Sequence, residues 1–143
     1  MRRVVVTGLG LVTPLATGVE ETWSRLLDGQ SGAGPITLFD AEASGVATTY
    51  ACEVTRGDGT DGSFNPDDWV IKKDQKKIDD FILYGIAAAE MAVRDADWTP
   101  EDTESQERTG VMIGSGIGGL SSIANTAVMI KEKGPRRVSP FFI

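Results

Sequence analysis

Two segments of this chain share one pattern, an apolar run that stops at closely spaced glycines and gives way to a helix-forming stretch, and nothing else in the sequence restricts the fold as much. In the first, Val4, Val5 and Val6 form a continuous β-branched run ending at Gly8 and Gly10. Such a run fits a strand covered on both faces, as in parallel sheets, so residues 3–7 are expected to be a buried parallel strand. In the second, residues 108–113 read as a strand that stops at Gly114-Ser115-Gly116-Ile117-Gly118-Gly119, with a helix following over residues 120–132. A β, turn, α unit used twice points to the α/β class.

The segments between are read in the same way. Thr17 is placed to cap a helix carrying Glu20, Trp23, Leu26 and Leu27, with Gly29 as its stop. Residues 29–45 are expected to be a surface loop, 46–54 an edge-like strand carrying Cys52, and 56–68 an exposed loop rich in Gly and Asp. Residues 74–96 carry the longest helical pattern, with Ile78, Phe81, Ile82, Gly85, Ile86, Ala89 and Val93 near one face. The sequence stops on Phe141, Phe142 and Ile143. Termini usually finish exposed and polar, so the chain is expected to be the N-terminal portion of a larger protein.

Composition removes several kinds of chemistry. There is no histidine, hence neither the commonest general base nor the commonest transition-metal ligand. One cysteine allows no internal disulfide and suits a reducing compartment, so a cytoplasmic location is expected. A net charge of −7 argues against binding nucleic acid or an anionic membrane surface. No apolar run approaches a membrane span, and the N-terminus lacks the long apolar stretch of a signal peptide.

Three constellations could carry function. Residues 114–119 match G-x-G-x-x-G, a dinucleotide-binding spacing, but no strand ending in Asp or Glu follows at the distance ribose binding requires. These glycines are better read as permitting close backbone packing or approach to an apolar ligand. Cys52 lies inside a strand pattern with no histidine to activate it and is expected to be a buried structural thiol. Two basic clusters interrupt the acidic background: Lys72, Lys73, Lys76 and Lys77, and Lys131, Lys133, Arg136 and Arg137. They are either solvated helix ends or an anion-docking surface.

Taken together, Arg3-Val-Val-Val-Thr-Gly-Leu-Gly10, Gly29-Gln-Ser-Gly32, Asp79-Asp-Phe-Ile82, Ile113 through Gly119, and Gly134-Pro-Arg-Arg-Val-Ser-Pro-Phe-Phe142 resemble the start of a β-ketoacyl-(acyl-carrier-protein) synthase of the synthase II type. The resemblance runs over residues 1–143 in the family's order. It implies an α/β, thiolase-like αβαβα sandwich whose first half is incomplete in this chain, and a homodimer as the full-length protein. It implies a decarboxylative Claisen condensation that elongates acyl chains, with no metal or cofactor, using acyl and malonyl thioesters and an acyl carrier protein as partner.

The family's catalytic cysteine, two histidines and lysine would follow Ile143, leaving no catalytic residue here and no condensing activity in this chain alone. By the same resemblance Ile117 gates an acyl pocket lined by Phe142, and Lys73, Lys76, Lys77, Arg136 and Arg137 dock the acidic carrier. The loop from Arg56 to Phe64 departs from the family pattern in length and in Gly and Asp content. Two other readings stand beside this one: a catalytically silent chain-length partner of a polyketide synthase, and a dinucleotide-binding module.

Overall fold

The computed structural model describes residues 3–142, a mixed α/β chain in which helices dominate. The principal elements are α1 (Val19–Leu27), β1 (Ala33–Pro35), β2 (Tyr50–Cys52), α2 (Lys72–Gln75), α3 (Asp80–Asp95), α4 (Thr103–Glu107) and α5 (Leu120–Lys133). Short 3-10 turns at Thr60–Gly62, Pro66–Asp68 and Pro135–Arg137 connect them. No helix among the described residues is long and apolar enough to cross a membrane.

Helix α1 is held by polar bonds and not by the apolar face its sequence suggests. Trp23, Leu26 and Leu27 are exposed, while Thr22 is the buried residue of the helix. The Thr22 hydroxyl donates to the Gly18 carbonyl at 2.6 Å, and Arg25 Nη1 donates to the Leu15 carbonyl at 2.6 Å. Thr17 is not the cap expected of it. Gly18 holds that position, and the Thr17 hydroxyl is buried without a partner. Its backbone N–H is committed elsewhere, donating to the Gly62 carbonyl at 2.8 Å, and this ties the entry of α1 to the loop around residue 60.

The sheet formed by the described residues is an antiparallel ribbon, with Ala33 opposite Cys52, Gly34 opposite Ala51 and Pro35 opposite Tyr50. It corrects three expectations. Part of the predicted loop 29–45 is a strand, the predicted strand 46–54 contracts to three residues, and Cys52 is exposed instead of buried. A two-stranded ribbon has one face left to solvent unless another element covers it, and Cys52 lies on the open face.

Residues 3–7 and 108–113 are not strands. Their backbones have no ladder partner among the described residues, and a strand exists only through its neighbour's N–H and C=O groups. Their side chains are correspondingly open: Val4 is 92% exposed and Met112 99%. The parallel layer expected from the two β, turn, α units is therefore absent among the described residues, although the second helix, α5, forms as expected and ends at Gly134.

The core sits under the segment predicted to be an exposed loop. Phe64, at 0% exposure, packs with Leu83 and Ala87 of α3, and Val12, Val54, Trp69, Tyr84 and Met91 close around them. The Phe64 and Tyr84 rings meet edge to face, with centroids 5.1 Å apart at 77°. An isolated bridge between Arg56 and Phe64 and an ion pair of 2.6 Å from Arg56 to Asp80 fold the loop back over α3. One apolar residue in a polar segment carries no periodicity, so the pattern of residues 56–68 hides it.

The predicted helix 74–96 is divided. A short α2 ends at Gln75, and Asp79, in an extended conformation, starts α3. The buried face of α3 is that of Leu83 and Ala87, while Phe81, Ile82, Ile86 and Val93 remain partly exposed. Close backbone packing does occur on this helix, at Ala88 and Ala92. Gly10 and Gly8 approach so near that a Cβ on either would overlap the carbonyl oxygens of Ala88 and Ala92 respectively. The first glycine turn is thus a helix-packing device.

Candidate functional site

The break between α2 and α3 opens a cleft. Its walls are the break itself, the first two turns of α5 and the segment after the Pro135–Arg137 turn, enclosing about 340 Å³. That volume is in the range of small-molecule sites, roughly 300–1,000 Å³. Ile78, Phe81, Ile82, Ile123, Phe141 and Phe142 supply the apolar lining. Lys76 and Lys77 contribute positive charge at one side, and Asp79 and Ser122 are joined there by a hydrogen bond of 2.7 Å.

The residues singled out by sequence are distributed unevenly about this cleft. Phe142 lines it, as do Lys76 and Lys77. Lys77 Nζ lies 5.3 Å from the centre of the Phe141 ring and 2.5 Å from an Asp74 carboxylate oxygen, so its charge is shared between an aromatic face and an ion pair. Lys73 is exposed on α2, where Lys72 pairs with Asp67 at 3.1 Å. Arg136 and Arg137 are exposed on the 3-10 turn and do not line this cleft; Arg137 borders a separate depression with Met129 and Lys133.

Ile117 is not among the lining residues. It is 73% exposed on the outward part of the glycine turn, while Gly119 at the other end of that turn does line the cleft. The turn bears no resemblance to a phosphate cradle between a paired strand and a helix, because residues 108–113 pair with nothing among the described residues.

Sequence reasoning missed the Asp79 to Ser122 bond, which spans 43 residues. The motif Asp79-Asp-Phe-Ile82 marked Asp79, but no local pattern says that its carboxylate crosses to another helix. It also missed that Asp67 and Asp74, beside the first basic cluster, are already engaged. Asp67 accepts from Gln75 and pairs with Lys72, and these contacts, the Gln75 hydrogen bond foremost, hold its carboxyl below the usual range.

Known proteins resemble this chain over its whole length. The family model described as "Beta-ketoacyl synthase, N-terminal domain" matches residues 1–143. A 3-oxoacyl-(acyl-carrier-protein) synthase 2 of Rhizobium meliloti is 52% identical over 143 residues, which is 100% of this chain and 34% of that protein. A mitochondrial 3-oxoacyl-(acyl-carrier-protein) synthase of Arabidopsis thaliana is 45% identical across 99% of this chain and 32% of its own length. A solved structure, the ishigamide ketosynthase/chain length factor, superposes with a TM-score of 0.70 at 34% identity, covering 99% of this chain and 33% of its own. The fold is therefore that of the ketosynthases, the thiolase-like α/β class, and the chain spans about a third of the length of these relatives. With the family model matching from end to end, the chain belongs to the β-ketoacyl synthase family, as its N-terminal domain.

Proposed function

We propose that this chain supplies the acyl-binding wall and part of the carrier-docking surface of a condensing enzyme of fatty acid synthesis. In the reaction, an acyl group moves from its carrier to an enzyme thiol. A malonyl thioester then loses carbon dioxide as its α-carbon attacks the acyl carbonyl, giving a 3-oxoacyl chain on the carrier. The nucleophile and the groups that assist decarboxylation belong, in this reading, to the longer protein. The observation that carries the reading is the cleft, where Phe142 and its apolar neighbours stand beside Lys76 and Lys77. An apolar slot with a cationic border suits a long acyl tail delivered by an acidic protein. The synthase names of the curated relatives favour this reading over a silent chain-length partner. The direct test is elongation of an acyl primer by the full-length protein with malonyl-carrier as donor; absence of any 3-oxoacyl product overturns the proposal.

Two further results are expected of that protein. Ile117→Phe should lower the specificity constant for long acyl primers by roughly tenfold relative to short ones, because a bulkier side chain swung in from the exposed glycine turn excludes the tail first. Equal loss at all lengths would remove the gating role from Ile117. Replacing Lys73, Lys76 and Arg136 together by alanine should weaken carrier-bound substrates more than carrier-free thioesters, chiefly through slower association. Each exposed charge is worth about 0.2–1 kcal/mol, and the effect should fade as salt shortens the Debye length below about 8 Å. A loss indifferent to salt would make the clusters solvated helix ends.

A further inference from the structure

The glycine turn before α5 is held at one end and free at the other. A Cβ built on Gly114 or Gly116 would meet nothing within 4 Å. At Gly118 it would lie 3.9 Å from the Phe81 ring, and at Gly119 it would lie 3.7 Å from that ring and 3.2 Å from Asp79 Cγ, overlapping one carboxylate oxygen. Gly118 has φ of 69°, a left-handed conformation in which the chain reverses between the free and the held halves. Ile117 stands at that boundary.

Asp79 is what holds the turn. It occupies the N-cap position of α3 yet makes no capping bond to that helix. Its Oδ1 instead accepts the Ser122 hydroxyl at 2.7 Å, and its other oxygen lies against Gly119. Gly119 and Ser122 are the N-cap and the third residue of α5, a helix with no acidic residue in its first turn and no side-chain cap of its own. The Asp79 carboxylate supplies negative charge at the positive end of that helix. We infer that Asp79 is a positioning residue, clamping the base of the glycine turn through Ser122 and Gly119, so that the excursion of Ile117 and with it the acyl-length selectivity of the cleft are set from α3. The link to selectivity rests on the function proposed above; the clamp itself rests on the contacts.

The full-length synthase carrying Asp79→Ala or Ser122→Ala should show the ratio of specificity constants for long and short acyl primers shifted by about three- to tenfold, as expected when one hydrogen bond of ordinary net strength is lost. The double variant should shift it no further than the larger single change, because both remove one contact. Asp79→Asn keeps an acceptor for Ser122 and should restore the wild-type ratio. Amide hydrogen exchange across residues 114–119 should quicken in the alanine variants and not in Asp79→Asn, a readout that needs no turnover. Unchanged exchange in both alanine variants overturns the clamp. Equal loss with both primers, or an active enzyme whose primer ratio responds to Ile117→Phe but to neither alanine change, overturns the link to selectivity while the condensing reaction stands. A wild-type protein inactive with every primer overturns the reaction and the selectivity link together, and faster exchange would then uphold the clamp alone. If Asp79→Ala does not fold, Ser122→Ala decides the matter, since it removes only a hydroxyl.

Discussion

Phe64→Ala is expected to destabilise the protein by about 3–5 kcal/mol, the usual cost of emptying a fully buried aromatic site. Phe64 is the largest side chain buried to completion and the centre of the cluster with Leu83 and Ala87. Its removal deletes the edge-to-face contact with Tyr84 and leaves a cavity that α3, pinned by its own hydrogen-bond ladder, can only partly fill. The loop loses its anchor as well, because the Arg56 to Phe64 bridge depends on that ring staying inside. Phe64→Leu should fall between wild type and alanine, keeping apolar volume but no aromatic edge. The measurement is the urea midpoint at constant slope. A change below about 1 kcal/mol for alanine would place Phe64 outside the core.

Gly10→Ala should cost about 3 kcal/mol, at the upper end of what overpacking usually costs. The added methyl would overlap the Ala88 carbonyl oxygen and come within 2.7 Å of the Ala92 nitrogen and 2.8 Å of Met91 Cβ. These are mostly helix-backbone atoms, so relief requires moving α3 as a body and disturbing the Leu83 and Ala87 packing on its other side. Gly34→Ala is the control. Nothing lies within 4 Å of a Cβ there, and a change within about 0.5 kcal/mol is expected. Comparable losses at the two positions would mean that the helix contact does not account for Gly10, since the unfolded-state entropy of glycine by itself favours the alanine variant.

The acyl-pocket and docking residues were reached by family resemblance and not by local pattern, which for the basic clusters favoured a solvated surface. The cleft brings Phe142, Lys76 and Lys77 together, while Arg136 and Arg137 lie outside its lining. Ile117 shows the opposite case, marked by its setting among glycines yet standing outside the cleft that the described residues form.

What the amino-acid order determined by itself is local. The helical stretches that became α1, α3 and α5, the stop at Gly134 and the breaks at the glycine turns follow from spacing, propensity and backbone freedom within a few residues. Tertiary structure decided the rest. Strand identity needs a partner, so apolar runs at 3–7 and 108–113 have none among the described residues while Ala33–Pro35 and Tyr50–Cys52, with weaker patterns, found each other. Which face of α3 is buried was settled by Phe64 arriving from a polar loop, and where Asp79 points was settled by the uncapped N-terminus of α5. Each of these depends on a contact between residues far apart in the chain, whose free energy exists only once the intervening segments have folded to bring them together.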